Sequence, residues 1–306
     1  MAFKPEELGS FIGKSVIVTG GNSGIGWHVA AEFGRHGATV TLACRNLQKA
    51  ERAADRIRAL APGSDVIVAE LNLASLESVR KFGTAFDKPL DVLVNNAGVM
   101  APPKWRPTED GYELQFGTNH LGHYALTGHL LAQLLSANAP RVVTVASLAH
   151  RGGDAGVLFG NPADGYRPRK AYSNSKLANL LFGLELQRRS VAHASKLTST
   201  VAHPGVSATN LFISKEGLGA NPVIRGLGSA FGRVFLQSAK AGANPILFAA
   251  TQAAPGSYSG PLWFGETRGP AGSAKLSPTG NDAELAAQLW ELSAELTGVE
   301  YAWPPG

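Results

Sequence analysis

The chain has one cysteine, Cys44, in 306 residues. An intramolecular disulfide framework is therefore excluded, and the composition fits a reducing compartment, with the cytoplasm as the expected location. Long apolar runs are also missing. None reaches the roughly 18 uninterrupted apolar residues of a membrane span. The longest candidate, from Leu121 to Leu135, is broken by Gly122, His123, Gly128, His129 and Gln133, so it reads as a buried helix. The opening segment MAFKPEELGSFIGK has no apolar centre, so a secretory signal is not expected. Neither helix-turn-helix, zinc nor RNP patterns occur, and no nucleic-acid or integral membrane partner is expected.

What is present suits a globular chain. Hydrophobic residues make up 44% and charged residues 17%, enough apolar material for a continuous core. The net charge of +5 permits an anionic ligand without naming one.

From Lys14 onward, short β-branched runs alternate with helical segments. Strands are predicted at Ser15–Thr19, Ala38–Ala43, Asp65–Ala69, Leu90–Val94, Arg141–Val145 and Leu197–Val201. Helices are predicted at Trp27–His36, Asn46–Leu60, Leu76–Phe86, Glu113–Leu135 and Ala171–Arg189. Such alternation implies βαβ units, a parallel sheet and a doubly wound α/β fold with helices on both faces. Residues 206–240 have no clear period and read as a substrate-side loop with a short helix. A helix at Ala241–Thr251, a strand near Gly260–Phe264 and a helix at Ala283–Leu296 complete the chain. One domain over 1–306 is expected, with 14–205 as its cofactor-binding and catalytic core.

The first strand runs into Thr19-Gly20-Gly21-Asn22-Ser23-Gly24-Ile25-Gly26 and then a helix. Glycines there let backbone N–H groups approach an anion, and the helix N-terminus faces a dinucleotide pyrophosphate. A dinucleotide fold of the NAD type places an acidic residue about 20 positions on. Here that region reads Ala43-Cys44-Arg45-Asn46 and has no carboxylate. Arg45, with Lys49 one turn beyond, instead suits a 2′-phosphate, which favours NADP(H) and leaves NAD(H) open.

Tyr172 and Lys176 lie four apart in a predicted helix, hence on one face. A free phenol titrates near 10, and forming its anion at neutral pH costs about 4 kcal/mol; an adjacent ammonium lowers that cost. Ser147 lies just past a strand, where a hydroxyl can hold a carbonyl oxygen. Asn119, in the apolar segment TNHLGHYAL, is expected to hold a helix kink and a water leading to Lys176. YxxxK alone is common on helices, so this reading depends on the surrounding motifs.

Those motifs resemble the short-chain dehydrogenase/reductase family, and within it the retinol-dehydrogenase-like branch. TGGNSGIG at 19–26, NNAG at 95–98, NHLGH at 119–123, VASLAH at 145–150, YSNSK at 172–176 and HPGVSAT at 203–209 occur in family order. The resemblance implies a Rossmann-type fold and a tetrad of Asn119, Ser147, Tyr172 and Lys176. It implies cofactor contacts from Gly20, Asn22, Ser23, Gly24, Ile25, Gly26, Arg45, Asn46, Asn96, Ala97 and Gly98. Pro204, Gly205, Val206 and Thr209 would frame the carboxamide, and Lys176 would hold the nicotinamide ribose. Asn72-Leu73 replaces the family's usual Asp-Leu, with the Asn72 carbonyl taken as an adenine acceptor. The activity implied is NADP(H)-dependent interconversion of a carbonyl and an alcohol on a fairly apolar small molecule. A non-catalytic NADP(H)-binding regulator and a sugar-nucleotide epimerase or dehydratase are the alternatives. A homodimer or homotetramer is left open.

Three other features invite simpler explanations. His120 and His123 lack a clustered third ligand, so a zinc site is not expected. Cys44 reads as a small buried residue beside the cofactor. Phe212, Phe231, Phe235 and Trp263 either line a lipophilic pocket or are ordinary core.

Overall fold

A computed structural model of the protein describes residues 3–206 and 237–304. Its strands are β1 (Ser15–Thr19), β2 (Thr39–Cys44), β3 (Val66–Glu70), β4 (Val92–Asn95), β5 (Arg141–Val145), β6 (Thr198–Ala202), β7 (Tyr258–Trp263) and β8 (Arg268–Ser273). They form one sheet in the order β3-β2-β1-β4-β5-β6-β7-β8. All neighbours are parallel except the β7–β8 pair. The order reverses between β1 and β4, and the crevice outside their carboxyl ends is where such sheets bind ligands.

The predicted parallel α/β architecture is the observed one. Along β1 the pleat explains how it is covered: Val16 and Val18 face one core cluster, Ile17 the other. On the first face lie α1 (Gly24–Arg35), α2 (Leu47–Leu60) and α8 (Ala239–Thr251). The second carries α3 (Leu76–Ala85), α5 (Gly122–His129), α6 (Leu131–Ser136), α7 (Pro168–Ala192) and α9 (Ala283–Thr297). There Tyr124, Phe182 and Trp290 pack edge-on or stacked at centroid distances of 5.1–5.8 Å.

Two expectations need correction. The helix predicted over Glu113–Leu135 stays helical from Leu114 to His129, with a π-turn inside it, and is interrupted at Leu130. Its parts are α4 (Leu114–Phe116), a π-turn (Gly117–Leu121), α5 and α6, with Leu130 at φ −96° between the last two. A Cβ on Gly122 would run into the Leu73 carbonyl oxygen, so the backbone there lies against the chain leaving β3. Apolar periodicity cannot register a π-turn, because five residues of one add no visible change in hydrophobic pattern. The second correction is β8, absent from the sequence reading. RGPAGS has little strand propensity, but an edge position accepts proline and antiparallel pairing with β7 supplies the order. Smaller shifts affect α7, which begins at Pro168 rather than Ala171, with proline at N1 where its missing N–H is harmless. No helix among the described residues is long and apolar enough to cross a membrane.

Candidate active site

The crevice begins at the end of β1. Gly20 and Gly24 have φ of 65° and 56°, and a Cβ on Gly26 would meet the Gly20 carbonyl oxygen at 2.8 Å and collide with the Asn96 amide. The turn is therefore closed to larger side chains. Asn22 and Ser23 are half-buried in it, and Ile25 is buried at the start of α1. Ser23, the N-cap of α1, makes no side-chain cap bond. Asn46, Ser75, Ser238 and Asp282 do cap α2, α3, α8 and α9. An uncapped first turn beside open space at Gly24 fits a pyrophosphate, since the amides keep their donors for an anion.

Thr19 organises the neighbouring turn after β4. Its hydroxyl accepts from the backbone N–H of Asn96 and of Ala97, both at 2.9 Å. Asn96 also donates through Nδ2 to the Thr19 carbonyl at 2.8 Å. Ala97 and Gly98 follow, half-buried, and a Cβ on Gly98 would lie 3.1 Å from Asn119 Oδ1 and 3.6 Å from Lys176 Nζ. The β4 turn thus touches both the dinucleotide side and the candidate catalytic side.

Arg45 and Asn46 are exposed just beyond β2. Asn46 accepts from the Lys49 N–H at 2.8 Å as the cap of α2, so its side chain is already engaged locally. Asn72 is held on both ends: Nδ2 donates to Glu109 at 2.8 Å, and Oδ1 accepts from the Ala74 N–H at 3.2 Å. Leu73 is buried against Gly122. The carbonyl expected to face adenine is therefore partly committed to its own turn.

Tyr172, Ser147 and Lys176 come together at the ends of β5 and α7. Ser147 lies two residues beyond β5 and caps a 3₁₀ turn over Leu148–Gly152, accepting from the Ala149 N–H at 3.2 Å. Burial pushes the Tyr172 phenol up to about 12, with Ser147 opposing that rise. Lys176 is buried, donates to the Val145 carbonyl at 3.0 Å and stands 6.0 Å from the Tyr172 ring centroid. Burial lowers its ammonium to about 8. The Lys176 ammonium, expected to ease ionisation of the phenol, is bonded to the Val145 carbonyl, and burial is the largest influence on the phenol.

Asn119 lies within the π-turn and is fully buried. Its side chain accepts from the Val99 N–H at 2.8 Å and donates to the Val99 carbonyl at 3.0 Å and to Ser175 Oγ at 2.9 Å. The amide thus joins the β4 turn to α7 one residue before Lys176, and the kink expected there is this π-turn. Its main-chain oxygen faces His123 at 2.8 Å.

Past β6, Gly205 has φ 68° and its N–H donates to His203 Nδ1 at 3.2 Å. The Val206 N–H donates to the Thr267 carbonyl at 2.9 Å, and Gln237 donates to the Pro204 carbonyl. The C-terminal hairpin therefore braces this loop, a support that sequence spacing did not reveal. Glu266, in the same hairpin, bonds Arg151 at 2.6 Å and so reaches the turn that follows Ser147. Thr209, Phe212, Phe231 and Phe235 lie outside the described residues. Trp263 is 57% exposed on β7, so it is not core. Cys44 is buried, and burial raises its thiol to about 11.

The two histidines read as a weak metal pair point in different directions. His120 Nε2 meets Ser293 Oγ at 2.8 Å, whereas His123 Nε2 meets Thr19 Oγ1 at 2.9 Å. His123 is the residue that sequence reasoning undervalued; its i+4 spacing from Asn119 was the available clue.

Comparison with known proteins bears on the family. The family model described as short chain dehydrogenase matches residues 14–216. Human retinol dehydrogenase 13 is 39% identical over 94% of this chain and 86% of its own length. A solved structure of an uncharacterised Mycobacterium paratuberculosis protein is 40% identical, with TM-score 0.82, covering 99% of this chain and 100% of the other. The Pseudomonas aeruginosa RhlG/NADP active-site complex, 22% identical with TM-score 0.61 over 81% of this chain and 94% of its own, shares the fold. The chain belongs to the short-chain dehydrogenase family of oxidoreductases, in its retinol-dehydrogenase-like branch.

Proposed function

We propose that the protein is an NADP(H)-dependent reductase or dehydrogenase interconverting a carbonyl and an alcohol, with Tyr172 as the proton-transfer residue. The observation that carries this reading is Lys176, buried one helical turn from Tyr172 and 6.0 Å from its ring centroid, in a fold whose first strand runs into an uncapped α1. Bound dinucleotide supplies or accepts the hydride. The α1 amides, Gly20 to Gly26, would hold its pyrophosphate, and Arg45 its 2′-phosphate. Asn96, Ala97, Gly98 and Lys176 would hold the riboses.

In the reducing direction Tyr172 donates its proton to the substrate oxygen, and a phenol raised by burial keeps that proton at neutral pH. Ser147 holds the same oxygen as negative charge develops. In the oxidising direction the phenol must lose its proton, and the Lys176 ammonium is the cation positioned to help. Because Lys176 is lowered to about 8, its charge is present below that pH and fades above it. Substrates of the apolar class, including retinoids, are proposed from the relatives' names.

The test is NADPH oxidation with a panel of apolar ketones and aldehydes. Tyr172→Phe is expected to lose roughly 10²–10⁴-fold in turnover while still binding NADPH. Wild-type turnover in that variant would remove Tyr172 from the mechanism. Arg45→Ala is expected to weaken NADPH far more than NADH, and equal weakening would argue against the 2′-phosphate contact.

A further inference from the structure

We infer that His123 is a positioning residue, a neutral imidazole locked as the Nδ1–H tautomer that holds the Asn119 turn in register with the dinucleotide platform. The inference rests on the proposed function for its catalytic consequence, but its proton arrangement follows from the hydrogen bonds alone.

A hydroxyl has one proton to donate and two acceptor sites. Thr19 Oγ1 already accepts from Asn96 and Ala97. Its proton must therefore point to an acceptor, and His123 Nε2 at 2.9 Å is nearer than the Val94 carbonyl at 3.3 Å. Nε2 then carries no proton. On the other side of the ring, Nδ1 lies 2.8 Å from the Asn119 carbonyl, which can only accept. The ring proton is on Nδ1, and both requirements select the same tautomer. An imidazolium would set an N–H against a hydroxyl whose acceptor sites are taken. Burial, with the nearby Lys176 charge, also keeps the ring neutral.

The chain of bonds has two functional ends. Asn96 and Ala97 stand at the candidate ribose site. Asn119 grips Val99 and Ser175, the residue before Lys176. His123 joins the two ends, is fully buried and touches no expected substrate position. Its carbonyl partner is the residue whose side chain clamps α7, so losing the bond frees the turn at the point where it meets the catalytic helix.

Three variants separate the two contacts. His123→Leu removes both. His123→Asn keeps a donor near the Nδ1 position and loses Thr19, whereas His123→Gln extends an acceptor toward Thr19 and loses the Asn119 carbonyl. We expect His123→Leu to lower kcat and raise the KM for NADPH, each by roughly tenfold or more. The asparagine variant should recover kcat but not the NADPH KM, and the glutamine variant the reverse. A lower melting temperature in His123→Leu, with kcat and NADPH KM unchanged, would make the residue merely structural and overturn the inference.

Nitrogen-15 NMR of the histidine-labelled wild type tests the tautomer without turnover, with His123 assigned through the variants. A Nδ1–H pattern that does not titrate between about pH 5 and 8 is expected. A Nε2–H pattern, or titration near 6.5, would overturn the inference. If the wild type binds NADPH yet reduces no carbonyl, the functional reading fails. NADPH affinity across the variants and the NMR pattern then decide His123 by themselves.

Discussion

Two buried imidazoles mark two differently built regions. His123, between β1, β4 and the π-turn, has both nitrogens hydrogen-bonded. His203, between β6 and the β7–β8 hairpin, is equally buried, but its Nε2 has no hydrogen-bond partner among the described residues and lies 3.6 Å from Glu266. The neighbouring His150 Nε2 is in the same position. Around His123, parallel strands and a glycine turn deliver backbone N–H groups to fixed places, and one threonine hydroxyl collects them. Around His203, groups from three distant segments (Arg151, His203, and Tyr258 with Glu266 of the hairpin) meet in a mostly buried seam. The first region is a satisfied platform. The second holds polar groups at a cost, which makes it the more tolerant of change.

Acid should produce the largest effect and act on both regions. Burial lowers His120 to about 3, His123 to about 4 and His203 to about 3, so the folded chain keeps all three neutral. The unfolded chain takes up those protons near 6.5. Their stabilisation is complete above that pH and declines as pH falls toward the folded values. The slope is about 1.4 kcal/mol per pH unit for each imidazole. Melting temperature measured from about pH 8 down to 5 should fall steeply below 6.5. A flat profile would mean these rings accept protons in the folded state.

Thr19→Val comes next. It leaves the Asn96 and Ala97 N–H groups without their hydroxyl acceptor and His123 Nε2 without a donor. A loss of about 2–4 kcal/mol in denaturant unfolding is expected. Smallest should be Glu266→Gln, which keeps an acceptor for the Lys275 N–H but gives up both the charge and the second acceptor oxygen facing a partly exposed Arg151. There a loss of about 1 kcal/mol or less is expected. If Glu266→Gln costs as much as Thr19→Val, the contrast between platform and seam is wrong.

Legibility in the sequence follows the same division. Six parallel strands were readable because β-branched runs covered on both faces leave a continuous apolar signature. Tyr172 and Lys176 were readable because a helix puts residues four apart on one face. The β8 strand was not, since RGPAGS is ordered by pairing with β7 rather than by its own propensity. Nor was the π-turn at Asn119, which lies within a continuous helical stretch next to the close approach of Gly122 to Leu73. Arg151 and Glu266 are 115 positions apart, and no local pattern relates them.

The amino-acid order alone determined the alternation of strands and helices, the glycine turn and the tyrosine–lysine face, because each depends on residues within a few positions. Tertiary structure decided where Lys176 points, which nitrogen of His123 carries its proton, and what braces the loop after β6. Those depend on partners brought together only by the folded sheet, and a buried polar group takes its role from whichever partner the fold supplies.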